Sequence, residues 1–261
     1  MEERFNHRLL AQGFYDCKKL DTPKLLSDVT TIKQALKAGP KVFASVTTII
    51  GQTIKHPFLD SIHKPRTMVK YARMEEHWDK DWKEIERLCY GMVEDPYGSL
   101  IPSSEFGTNV HNSCEKLLDC YVHGDQPEFS VYDAWAEPWL DWIIEQGHEI
   151  IATELPIADG TIKTCGTIDA VIKGAHSGEM ILCDYKCRKS KQFYDKDLWQ
   201  LAIESWMLKR RYKLDYLPQC MSICIEVGSK KHHHKWWSVE EQENAIEIVK
   251  LISKLYWKLR Q

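Results

Sequence analysis

Two stretches in the middle of the chain carry its clearest hydrophobic pattern. Gly166-Thr167-Ile168-Asp169-Ala170-Val171-Ile172-Lys173 and Met180-Ile181-Leu182-Cys183-Asp184-Tyr185-Lys186 alternate or run apolar, as half-buried and buried strands do. Gly174-Ala175-His176-Ser177-Gly178 between them predicts a hairpin with a glycine-bearing loop. Upstream, the pattern predicts a helix over about 107–123 and another over about 130–146, with Pro138 as a kink. A strand from Glu149 to Ile157 then meets a hairpin turn at Ala158-Asp159-Gly160. Downstream come an amphipathic helix from Leu198 to Arg211, a β-rich run from Pro218 to Val227, and a strand ending at Lys235-Trp236-Trp237. Ser238-Val239-Glu240-Glu241 has the form of a capping box and predicts a final helix through Leu259. The predicted order is α-α-β-β-β-α-β-β-α.

The front of the chain is patterned differently. Residues 1–30 are polar and mixed and predict an irregular arm with a short helix. Ser45-Val46-Thr47-Thr48-Ile49-Ile50-Gly51 fits a short strand or a helix start. Met68, Val69, Tyr71, Trp78, Trp82, Ile85 and Leu88 recur at mostly helical spacing within 67–94, which predicts one or two amphipathic helices. Asp95-Pro96-Tyr97-Gly98 and Ile101-Pro102-Ser103-Ser104 form a turn-rich break. The expected division is a mostly helical region over 1–104 and an α/β core over 105–261.

Composition narrows the setting. Of 261 residues, 43% are hydrophobic and 28% charged, enough for a sizeable core. The net charge of −3 excludes a globally basic nucleic-acid binder, but not a local basic groove. Nine scattered cysteines do not suit a secreted disulfide framework. The start Met1-Glu2-Glu3-Arg4 lacks the apolar stretch of a signal peptide. No apolar run approaches the roughly 20 residues of a membrane span. The expectation is an intracellular, cytoplasmic protein with no membrane partner.

Asp184 and Lys186 lie two apart on one strand and therefore face the same way. Asp169 on the neighbouring strand meets them across the ladder. Two carboxylates and an ammonium on one sheet face are costly to bury without a partner. A divalent cation would supply it, since Mg²⁺ takes one or two carboxylates together with phosphate oxygens and water. That set suits metal-assisted hydrolysis of a phosphodiester.

Four short motifs stand in order: Gly107-Thr108-Asn109-Val110-His111 with Glu115, Gly166-Thr167-Ile168-Asp169, Asp184-Tyr185-Lys186, and Trp199-Gln200-Leu201. In this order and spacing, over roughly residues 105–227, the chain resembles the PD-(D/E)xK nuclease superfamily in its RecB-like and phage-exonuclease branch. Ser45 to Gly51 also resembles a segment often found near the front of such nucleases. One departure is visible: where the RecB-like pattern places an aromatic residue one helical turn after the glutamine, this chain has Glu204, with Trp206 nearby.

The resemblance implies a restriction-endonuclease-like core, a mixed central β-sheet flanked by helices. It implies a Mg²⁺- or Mn²⁺-dependent deoxyribonuclease, best an exonuclease in DNA recombination, repair or processing. One or two ions would be held by Asp169, Asp184, His111 and the Tyr185 carbonyl. Lys186 would orient the attacking water or stabilise charge, and Gln200 would reach that water or a phosphate. Glu115 and Glu154 are weaker candidates behind the ligands. Arg188, Lys189 and Lys191 follow Lys186 directly and suit phosphate contact, with Trp199 a candidate for base stacking. Partners would be DNA ends and a recombination or replication protein. Cys187, Cys220 and Cys224 lack the compact spacing of an iron–sulfur site, so no cluster is expected. An inactive DNA-binding subunit, an endonuclease and an RNA-directed nuclease are the alternative readings.

Overall fold

The computed structural model describes residues 13–19, 23–29, 32–53, 92–94, 96–97 and 100–258. The first strands are β1 (Phe14–Asp16), β2 (Lys24–Leu25) and β3 (Val42–Ser45), with helices α1 (Ile32–Ala38) and α2 (Val46–Thr53). After the small pair β4 (Met92–Glu94) and β5 (Leu100–Pro102) come α3 (Ser103–His123) and α4 (Asp133–Glu145). Then follow β6 (Glu149–Asp159), β7 (Thr164–Lys173), β8 (Met180–Arg188), α5 (Asp195–Tyr212), β9 (Gln219–Glu226), β10 (His232–Trp237) and α6 (Val239–Lys258). From α3 onward the order is the predicted one. The run of histidines at 232–234 opens the strand that ends at Trp237.

One mixed sheet dominates, in the order β10-β9-β8-β7-β3-β1-β2, with β6 also paired to β7. The strands β6, β7 and β8 form an antiparallel meander, and β8 pairs with β9 in parallel. A parallel neighbour needs a crossover, and α5 supplies it. Phe106, Val110, Leu118, Trp139 and Ile143 of α3 and α4 pack with Ala170, Ile172, Tyr185 and Ile223 on one side of the sheet. Leu201, Ile203, Met207, Ile246 and Val249 of α5 and α6 pack with Ile168, Val171 and Leu182 on the other. Each large apolar side chain so buried contributes about 1.5–3 kcal/mol.

Polar pairs fix the helix starts. Ser238 Oγ accepts the Glu241 N–H at 3.2 Å and Glu241 Oε2 accepts the Ser238 N–H at 2.8 Å, the expected capping box. Ser45 is both the last residue of β3 and a cap for α2, accepting the Thr48 N–H at 3.2 Å. Its segment is therefore a strand end and a helix start together. Asp197 accepts the Tyr194 N–H at 2.9 Å and pairs through both oxygens with Arg188 at the end of β8. That pair ties the start of α5 to β8 and sets Gln200 and Glu204 over the sheet.

Ahead of residue 104, β1 and β3 join the main sheet: β3 pairs in parallel with β7, and β1 pairs antiparallel with β3. The strands at 14–16 and 24–25 lie where an irregular arm is predicted. The amphipathic helices predicted within 67–94 fall almost wholly outside the described residues, except for β4. Among the described residues no helix is long and apolar enough to cross a membrane.

Candidate metal centre

The site forms where two strands part. The β7–β8 ladder has its last pair at Ala170 and Cys183, whereas β8 stays with β9 as far as Arg188 and Glu226. Asp169 fills the opening: its Oδ2 accepts the Tyr185 N–H at 2.8 Å. The Tyr185 carbonyl bonds His111 Nε2 at 2.8 Å. A carbonyl oxygen can only accept, so Nε2 carries the proton and Nδ1 of neutral His111 keeps its lone pair. Nδ1 lies 3.7 Å from Asp169 Oδ2. A lone pair facing a carboxylate calls for a proton or a cation between them. The bond from His111 uses one of the two lone pairs of the Tyr185 carbonyl, the expected fourth ligand.

Glu154 completes this group. On β6, Thr153 stands opposite Ala170 and Leu155 opposite Ile168, which brings Glu154 level with Asp169. Its φ of 47° is left-handed, a conformation non-glycine residues adopt at a cost and chiefly at functional sites. A bulge between Ile150 and Ala152 sets the register that puts it there. One ligand atom each from His111, Glu154 and Asp169 lies within 4.8 Å of the others. Burial, then Asp169 and Glu115, push the Glu154 carboxyl up to about 9, against the pull of Lys186. Burial pulls the His111 imidazole down, which favours the neutral, metal-binding form. Two carboxylates and one imidazole fit Mg²⁺, or better Mn²⁺.

Asp184 and Lys186 stand on the side facing α5. Asp184 is 1% exposed. Its Oδ1 accepts from Lys186 Nζ, while its Oδ2 is buried with no hydrogen-bond partner. Burial pushes Asp184 up to about 7, with Lys186 opposing and Asp169 adding to the rise. Burial alone would lower Lys186, but Asp184 and Asp169 outweigh it and hold the ammonium charged. Glu204 of α5 is also buried, and burial with Asp184 and Asp169 pushes its carboxyl well up.

The predicted residues thus divide. His111, Asp169, Tyr185, Asp184, Lys186 and Glu154 come together. Glu115 is half-buried on α3 and adds to the field on Glu154. Gln200 is half-buried, its Nε2 3.5 Å from Glu204 Oε1. Trp199 is partly buried against the core on the α5 side, and so is packed rather than freely presented to bases. Arg188 is turned inward: its guanidinium pairs with Asp197 at 2.7 and 2.6 Å, donates to the Gln192 carbonyl and lies over the Tyr194 ring at 4.5 Å. These contacts brace α5. Lys189 and Lys191 are exposed.

Glu204 is the residue that sequence reasoning missed as a member of the site. In the sequence it stood out only as a missing aromatic. The signal that points to it is Gly166, the strand glycine against which it packs.

No protein-family model matches the chain, and no curated protein matches it. Among solved structures, the crystal structure of SSO0001 is similar with a TM-score of 0.34 and 13% identity, over 83% of this chain and 85% of that one. A likeness of that degree carries no argument about function.

Proposed function

We propose that this protein is a metal-dependent nuclease that hydrolyses phosphodiester bonds in DNA. One observation carries the reading: the donors of His111, Glu154 and Asp169 lie within 4.8 Å of one another, beside the buried Asp184 and the half-buried Lys186 paired with it. Carboxylates so enclosed, with an imidazole lone pair turned toward them, call for a cation. His111, Glu154 and Asp169 would hold a Mg²⁺ or Mn²⁺ ion, with Asp184 and the Tyr185 carbonyl adjoining. A bound divalent ion offsets charge on the phosphate and lowers the pKa of a water.

The rest of the chemistry belongs to the chain. Lys186 places a fixed positive charge where the pentacovalent phosphate gains negative charge. Asp184 keeps that ammonium charged and oriented. Gln200 lies on the helix above and reaches the attacking water or a phosphate oxygen. Lys189 and Lys191 extend the positive charge along the path of the backbone. The resemblance to RecB-like and phage nucleases favours an intracellular exonuclease acting on DNA ends in recombination, repair or processing.

The test is cleavage of end-labelled linear and covalently closed circular DNA, with and without Mg²⁺ or Mn²⁺. Metal-dependent loss of linear DNA with closed circles surviving is expected. Rapid nicking of circles would replace the exonuclease by an endonuclease. Absence of cleavage with either metal on any DNA would remove the reading.

A further inference from the structure

Glu204 sits in a place the chain makes for it. It lies on α5 one helical turn after Gln200 and is 1% exposed. A Cβ at Gly166 would stand 2.5 Å from Glu204 Oε1 and 3.3 Å from its Cγ and Cδ. All three nearest neighbours of that missing carbon therefore belong to Glu204. Gly166 is not among the glycines with positive φ, so the backbone there does not demand glycine. Glycine weakens a strand interior, and in such a position it marks a close approach. Here the approach is the Glu204 carboxyl.

That carboxyl meets Gln200, whose Nε2 donates to Oε1 at 3.5 Å. A carboxamide has a donor end and an acceptor end. With one of its two N–H donors on Glu204, the amide is fixed in direction, and its carbonyl oxygen stands at the end away from that bond. A phosphate oxygen has no proton to give to a carbonyl; a water has two. We propose that Glu204, seated on Gly166, is a positioning residue that fixes the Gln200 amide so that its carbonyl oxygen accepts a hydrogen bond from the attacking water. The inference rests on the nuclease reading above and narrows what Gln200 does within it.

The mechanism needs an acceptor oxygen at 204, not a charge. Glu204→Gln keeps one and Glu204→Ala does not. On linear DNA with Mn²⁺, Glu204→Ala is expected to lower kcat about tenfold with KM unchanged, the loss that misplacing one oriented group produces. Combined with Gln200→Ala it should cost no more than Gln200→Ala alone, since the two act as one device. Glu204→Gln should keep kcat within about threefold of wild type, because the same hydrogen bond can form. Gly166→Ala drives a methyl into Glu204 and should reproduce the kcat loss in a folded protein. Glu204→Gln as inactive as Glu204→Ala would overturn the proposal in favour of a role for the charge. So would independent, multiplying losses from Glu204→Ala and Gln200→Ala.

A second readout does not depend on cleavage. The side-chain amide signal of Gln200 in an NMR correlation spectrum, identified by its loss in Gln200→Ala, should shift in Glu204→Ala and stay close to wild type in Glu204→Gln. If no DNA is cut at all, the nuclease reading falls and this spectrum still decides whether Glu204 holds Gln200. An amide signal unmoved in Glu204→Ala overturns the positioning role whatever the activity.

Discussion

The half of the site facing α3 and the half facing α5 are both built of carboxylates, yet they settle their charge differently. Toward α5, Asp184 bonds the Lys186 ammonium directly. Toward α3, Glu154 and Asp169 have the neutral His111, which offers a lone pair instead of a charge. The same sheet thus carries one group whose cation is part of the chain and one that fits a cation from solution. Burying a carboxylate without a counter-charge is costly. Lys186 eases that cost only in part, since Glu154 is still pushed up to about 9, and Glu154 is held at a left-handed φ; both features fit the proposed ion.

Asp184 bonds Lys186 and lies in the field of Asp169, so a change there reaches both halves. Asp184→Asn weakens the hold on Lys186 and removes a carboxylate beside the proposed metal position. Cleavage should fall by about 10²–10³-fold, the scale on which pre-organised charge acts, while circular dichroism stays native. A folded variant with wild-type turnover would leave the α5 half without a catalytic role.

The α3 half is tested by metal affinity. His111→Ala should weaken Mn²⁺ binding by about 10–100-fold, taking the scale of losses around metal sites, and leave metal-free DNA binding unchanged. Melting curves give a second check on the same half. At an Mn²⁺ concentration of about 100 times Kd the wild type should gain about 2.7 kcal/mol, and Glu154→Gln should lose much of that gain. Equal gains in wild type, His111→Ala and Glu154→Gln would move the ion away from these side chains.

The two halves also differ in how far they could be read from the sequence. Asp169, Asp184 and Lys186 were legible because strand periodicity and two-residue spacing carry direction. His111 was legible only through the order of motifs, since nothing local to α3 predicts a bond to the Tyr185 carbonyl 74 positions later. Glu154 was a weaker candidate because its place depends on a bulge and on one backbone angle, which local pattern does not encode. Glu204 and Gly166 are meaningful only once α5 closes over β7. The pairing of Arg188 with Asp197 was missed for the same reason: it joins the end of a strand to the start of the next helix, and a run of basic residues looks alike whether it is free or engaged. The elements after residue 103 were legible nearly throughout, because each is long and strongly patterned.

The smallest expected effect separates Arg188 from its neighbours and so marks the edge of the α5 half. Arg188 is 12% exposed at its side chain and Asp197 is 1% exposed, so Arg188→Ala leaves a buried carboxylate unpaired. That change should cost about 3–5 kcal/mol of stability, measured by urea denaturation. It should not alter how salt weakens DNA binding, because this guanidinium faces inward. Lys189 and Lys191 are exposed and should behave in the opposite way. Replacing both by glutamine should leave the denaturation midpoint near wild type. For every phosphate that is no longer neutralised, the slope of log K against log salt should shrink by about 0.9 on duplex DNA, or about 0.7 on single strands. The measurement is fluorescence anisotropy of a labelled oligonucleotide across a salt series, without divalent metal so that cleavage does not intrude. A flattened slope for the lysine pair and an unchanged slope for Arg188→Ala would place the DNA path along the two lysines. An unchanged slope for the lysine pair would turn that strand end toward solvent and leave the buried pair at Arg188 as a brace alone.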